Sequence, residues 1–205
     1  MHKVFISYHH DNDQEYKNHL VWMNRQHNIF IDKSVKTNDI SDDQSTQTIR
    51  QTIRDNYLQD STVTILLVGT ETRYRKHIDW ELKSSMINGS VNKKSGILII
   101  TLPSLHSNYL TVAHPGEKEK IYPEVHAWTN IETKSVEMSK YPAIPERIMD
   151  NIVNPKARIS IVPWDRIKNN PQKLTWLIKA TSESRDTNEY DLSRRMRMRD
   201  HNPYL

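Results

Sequence analysis

Val63-Thr-Ile-Leu-Leu-Val-Gly69 is apolar at almost every position. A strand that meets solvent on one face alternates apolar and polar residues, whereas a strand covered by helices on both faces does not. The run therefore predicts an interior strand of a parallel sheet. Gly96-Ile-Leu-Ile-Ile-Thr-Leu102 repeats the signature, and Pro103 marks its exit. Between them Ile78, Leu82 and Met86 recur every four residues, the spacing of a helix with one buried face. Gly89 is placed to end that helix in the left-handed conformation. Upstream, Val4 to Tyr8 predicts a first strand, Tyr16, Leu20 and Met23 mark one face of a helix, and Ile29 to Ile31 predicts a second strand. Ser41 and Gln44 form a capping box ahead of Ile49, Ile53 and Tyr57, which share one side of a further helix.

All nine prolines follow residue 102, so the second half is punctuated where the first is not. Residues 103 to about 157 hold few apolar runs and predict an irregular insertion with a short helix near Ile144 to Ile152. Arg158 to Val162 predicts a fifth strand, and Asn170-Pro171 opens a last helix with Leu174, Leu177 and Ile178 inward. The expected architecture is α/β, a doubly wound, flavodoxin-like sheet of five parallel strands with the insertion between strands 4 and 5. One domain is expected over residues 1–190, followed by a basic C-terminal tail, 191–205. Its Arg194, Arg195, Arg197 and Arg199 read as a solvated charge run rather than a nucleic-acid site.

Composition narrows the chemistry. The 205 residues carry 29 Lys and Arg against 25 Asp and Glu, a mild +4 that suits an anionic ligand without naming one. With no cysteine, disulfides, thiolate metal sites and cysteine nucleophiles are excluded, in keeping with a reducing cytoplasmic setting. No run is long enough for a signal-peptide core or a membrane span. Four glycines, at 69, 89, 96 and 116, allow neither a G-x-G-x-x-G turn nor a Walker A loop. The third strand ends Val68-Gly69-Thr70, without the aspartate of a phosphorylated receiver. His9 and His10 are adjacent and cannot share a metal from one strand, so no metal site is expected. No G-x-S-x-G elbow occurs.

In such a sheet ligands bind beyond the carboxyl ends of the strands, where strand order reverses. The walls would then be Ser7, Tyr8, His9 and Asp11 after the first strand, Asp32 after the second, and Gly69 and Thr70 after the third, with Trp80 and Glu81 on the helix that closes the site. Glu81 has Ser84 and Ser85, not a lysine or arginine, as its next-turn neighbours.

These stretches resemble a known family. Val4-Phe-Ile-Ser-Tyr-His-His-Asp11 is similar to the first motif of TIR domains, a strand reading F-I-S-Y followed by polar residues and an aspartate. Ser61 to Thr70, followed by Arg75-Lys-His-Ile-Asp-Trp-Glu-Leu82, resembles the third strand and helix of bacterial TIR-like proteins, in which W-x-x-x-E or W-x-x-Y-E carries the catalytic glutamate. Glu81 falls on that glutamate. Trp80 stands where the relatives usually have tyrosine, and His77 or Ile78 stands near their tryptophan, which adds His77 to the candidate binding residues. Ile161-Val-Pro-Trp164 and Leu174-Thr-Trp-Leu-Ile-Lys-Ala180 extend the similarity to the TIR-like subunit of the Thoeris antiphage system.

The resemblance implies an enzyme that takes NAD as substrate, not as cofactor, and cleaves its nicotinamide glycosidic bond. Glu81 would stabilise the oxocarbenium-like ribosyl centre. The product would be a diffusible ADP-ribose-derived signal, a cyclic isomer or a conjugate, that activates a separate effector. Homo-oligomeric assembly, and no nucleic acid or membrane partner, belong to the same expectation. Tyr109 to Trp128 is the candidate lid over the site. Two alternatives stand beside this reading: a non-catalytic TIR scaffold that assembles through loops such as Lys33 to Asp42, and a nucleoside deoxyribosyltransferase, which also sets a glutamate against a glycosidic carbon.

Overall fold

Successive side chains of a strand leave the sheet on opposite faces, and β3 (Val63–Val68) divides its six buried residues accordingly. Ile65 and Leu67 join a core with Val4 and Ile6 of β1 (Lys3–Ser7), Leu20 and Met23 of α1 (His10–His27), and Leu174, Leu177 and Ile178. Leu66 and Val68 face the other way, onto Ile78, Leu82 and Met86 of α2 (Lys76–Met86) and onto Ile148, Met149 and Ile152. Helices cover both faces, which is why the run lacks alternation. The computed structural model describes residues 1–34, 48, 52–53, 55, 58–89, 92–106 and 109–200. Among these residues no helix is long and apolar enough to cross a membrane.

β2 (Ile31–Asp32), β4 (Gly96–Thr101) and β5 (Ser160–Pro163) complete a five-stranded, all-parallel sheet in the order β2-β1-β3-β4-β5. This is the flavodoxin-like arrangement, and the chain reverses its direction of travel between β1 and β3. β2 begins at Ile31, later than the apolar run suggests. Asn28 ends α1 in the left-handed region (φ 51°), and the Asn24 side chain accepts from the Ile29 and Phe30 amides, so the chain is still turning there. α2 also ends differently from expectation: it stops at Met86, with Ile87 extended, and Gly89 is not its cap. Of the helix expected around Ile49, Ile53 and Tyr57, Ile53 is buried, while the other two and the Ser41/Gln44 box lie outside the described residues.

The insertion is more regular than its sequence suggests. It contains α3 (Glu117–Ile121), α4 (Lys134–Lys140) and α5 (Glu146–Ile152). The fully buried Glu117 organises it, accepting from the Ala113 and His114 amides and the Ser160 hydroxyl. Thr111 pairs antiparallel with Ile161, and the Lys173 ammonium donates to the Ile121 carbonyl of α3 from α6 (Pro171–Ser184). These contacts put Tyr109 to Trp128 against β5 and α6, three strands from β1, because the chain leaves β4 on the side away from the switch point. That placement does not match a lid over the β1–β3 crevice. α6 starts as its sequence predicts, with the Asn170 side chain accepting from the Lys173 amide and Pro171 in the first turn. It packs so closely on β4 that a Cβ at Gly96 would lie 2.2 Å from the Thr181 carbonyl oxygen.

The largest departure is at residues 191–200, read from sequence as a solvated tail. They form a strap running antiparallel along α2. The Lys83 ammonium donates to the Arg194 carbonyl, the Trp80 indole to the Arg197 carbonyl (2.7 Å), and Asp200 accepts from the Lys76 amide (2.7 Å) at the start of α2. Met196 is buried with Phe5, Ile53, Leu58 and Trp80.

Candidate functional site

Ser7 lies two residues after Phe5 and so leaves β1 on the same face, toward α2. One and a half turns into α2, Glu81 is turned inward by the helical spacing that buries Ile78 and Leu82. The two meet. The Ser7 hydroxyl donates to Glu81 Oε2 at 2.6 Å, a short hydrogen bond, with Ser7 1 % and Glu81 4 % exposed. A buried carboxylate thus sits beneath the carboxyl end of β1, beside the strand-order reversal.

Other expected residues follow the carboxyl ends of β1 and β3. Tyr8 is buried, donates its hydroxyl to Gln14, and stacks against His10 with ring centroids 4.4 Å apart. Burial pushes its phenol above the usual range, and the Glu81 charge adds to the rise. His9 is buried, and its Nδ1 has no hydrogen-bond partner among the described residues. Burial first, then the Arg75 charge, hold its imidazole below the ordinary value. His10 is lowered by burial as well, with His77 contributing from α2. Gly69 is buried at the end of β3, with its amide donating to the Thr72 hydroxyl at 2.8 Å.

The remainder are placed differently. Trp80 is 2 % exposed and packs in the Phe5 cluster, edge-on to His77 at 4.9 Å, with its indole nitrogen bonded to the strap. It fills the core in this arrangement instead of presenting a ring to a ligand. Asp11 and Thr70 are exposed. Asp32 is exposed too and accepts from the Ser34 amide at the end of β2.

Asp13 is the residue that sequence reasoning missed. Its carboxylate is buried against β3, and a Cβ at Gly69 would lie 2.5 Å from Asp13 Oδ1, which explains the glycine. Burial raises the carboxyl from 3.8 to about 6, although the His9 amide and the Thr72 hydroxyl, hydrogen-bonded to it, pull it down. A carboxylate kept in so unfavourable a place marks a functional candidate. The folded state holds this proton more tightly than the unfolded state. The destabilisation therefore grows as pH rises from about 4 to 6, is fully present above 6, and disappears below the unfolded value. Asp13→Asn, which cannot ionise, should be more stable than the parent at pH 7.5 by up to about 3 kcal/mol. The gain should fade toward pH 4.5 in melting curves taken across that range; a pH-independent difference would contradict the assignment.

With this geometry in view, a protein-family model described as "Thoeris protein ThsB, TIR-like domain" matches residues 5–107, half of the 205-residue chain. No curated protein matches the chain. The matched span takes in the end of β1 and all of α1, β2, β3, α2 and β4, and with them Ser7, Asp13, Gly69 and Glu81. On its sheet order, its first-strand motif and that match, the chain belongs to the ThsB TIR-like domain family of the Thoeris antiphage defence system.

Proposed function

We propose that the chain cleaves the bond between nicotinamide and ribose in NAD, with Glu81 as the catalytic carboxylate. The observation that carries the reading is the buried Ser7–Glu81 pair beside the β1–β3 switch point. The leaving pyridine is already cationic and departs as a neutral base with the bonding electron pair, so little acid catalysis is needed. Positive charge develops on the ribosyl carbon, and a preorganised carboxylate stabilises it best where water is scarce. Ser7 acts as a positioning residue by fixing one carboxylate oxygen. Tyr8, His9 and Gly69 border the ligand, and Asp11, Asp32, Thr70 and His77 lie at the rim.

The acceptor sets the product. An internal hydroxyl gives a cyclic ADP-ribose isomer, water gives ADP-ribose, and a small nucleophile gives a conjugate. The product would signal to a separate effector, and the reaction would draw on the cytoplasmic NAD pool. At 4 % exposure Glu81 is reached only after covering groups move, so resting turnover is low until a trigger or assembly opens the site. The same burial favours one competing reading, a scaffold without turnover; most of its expected assembly loop, from residue 35 onward, lies outside the described residues. Mass spectrometry of nucleotides from infected and uninfected cells expressing the parent or Glu81→Gln tests the proposal: infection-dependent NAD loss and a new ADP-ribose derivative should appear with the parent alone.

A further inference from the structure

The strap, α2 and α5 together wall a cavity of about 190 Å³. Six arginines line it, Arg73, Arg75, Arg147, Arg194, Arg195 and Arg197, with Asp79 and Glu146 as the lining carboxylates. Four of the arginines are already matched. Arg147 grips Asp79, Arg73 and Arg194 share Glu146, Arg194 also reaches Asp150, and Arg75 pairs with Glu71 and Asp200. The carboxylates have little capacity left, since Asp79 also accepts the Arg197 amide and Asp150 also serves Lys134. Among the described residues, these ion pairs leave the guanidinium groups of the exposed Arg195 and the half-buried Arg197 unmatched. Like charges gathered around a partly enclosed space repel one another, and the repulsion is relieved by an anion between them. Guanidinium forks present paired N–H donors at the spacing of phosphate oxygens.

We propose that this cavity binds a phosphate oxyanion, best a diphosphate, through Arg195 and Arg197 with Arg73 and Arg75 on the wall. The diphosphate has two conceivable sources: the dinucleotide whose ribose lies at Glu81, which rests on the function proposed above, or a separate phosphorylated ligand. Arg75, at the start of α2 with its charge acting on His9 after β1, speaks for the first; Asp79, which lines the cavity, and Glu81 leave α2 about 200° apart, which speaks for the second.

The test is calorimetric titration of the full chain with inorganic pyrophosphate, with sulfate as the reference for unspecific anion binding. Arg195→Ala/Arg197→Ala should weaken pyrophosphate binding at least about tenfold. The backbone carbonyls and Met196 that anchor the strap are untouched by that pair, so the ligand-free melting temperature should hold. Arg195→Lys/Arg197→Lys, which keeps charge and loses the fork, should fall between. Equal pyrophosphate affinity in the parent and the alanine pair, or parent affinity no better than for sulfate, overturns the site. Binding is read without turnover, so a failure of the NAD reading leaves this result intact. If NAD turnover is present, a KM raised about tenfold at constant kcat in the alanine pair assigns the site to the substrate's diphosphate. An unchanged KM beside lost pyrophosphate binding assigns it to a separate ligand.

Discussion

Glu81→Gln is expected to lower triggered NAD turnover by about 100- to 1000-fold, the usual consequence of removing one preorganised electrostatic stabiliser from a transition state. Glutamine keeps the shape and an oxygen that can accept from the Ser7 hydroxyl, so the fold should survive while the negative charge goes. The measurement is nicotinamide release by purified protein incubated with NAD and infected-cell lysate. Ser7→Ala is the companion: it leaves the charge and removes the hydrogen bond that orients it, so a smaller fall, about tenfold, is expected. Its signature should be an altered pH profile of kcat. Undiminished turnover in Glu81→Gln would refute the mechanism.

The largest expected effect on stability is at Asp79. Arg147 is among the largest fully buried side chains, and its guanidinium meets Asp79 in a two-pronged pair, Nε to Oδ1 at 2.8 Å and Nη2 to Oδ2 at 3.0 Å. Arg147 also donates to the Arg194 and Arg195 carbonyls, and Asp79 accepts from the Arg197 amide. Truncating one partner leaves a buried charge uncompensated, so Asp79→Ala should cost about 3–5 kcal/mol in urea unfolding. The double variant Asp79→Leu/Arg147→Met should recover much of that loss, because no orphaned charge remains. A cost below about 1 kcal/mol for the single variant would mean the pair does not hold the strap.

The parts of this molecule that announce themselves in sequence are those governed by local periodicity. Continuous apolar runs mark β3 and β4, and the four-residue spacing marks α2; the Ser7–Glu81 contact itself is visible only in the structure. Asp13 shows the limit of such reading. The first-strand motif drew attention to Asp11, but helical structure begins at His10, and two residues along a helix turn a side chain through about 200°. Asp11 therefore faces out and Asp13 faces the sheet. The strap was illegible for a different reason. It has no periodicity, its composition is that of a solvated tail, and several of its bonds use main-chain atoms paired more than 100 residues away. Nothing local encodes such contacts. The insertion lies between these cases: its short helices are set by a buried glutamate and an isolated bridge, features that leave no periodic trace.

The way residues 194–200 clasp α2 bears on how this region opens. Bonds at Lys76, Trp80 and Lys83 fasten the helix at its first turn, its middle and its second half, so it cannot fray from its amino end while the clasp holds. Helix and clasp should therefore exchange their amide hydrogens as one cooperative unit, and the carboxylate at the sheet's rim inherits its steadiness from a segment distant in the chain.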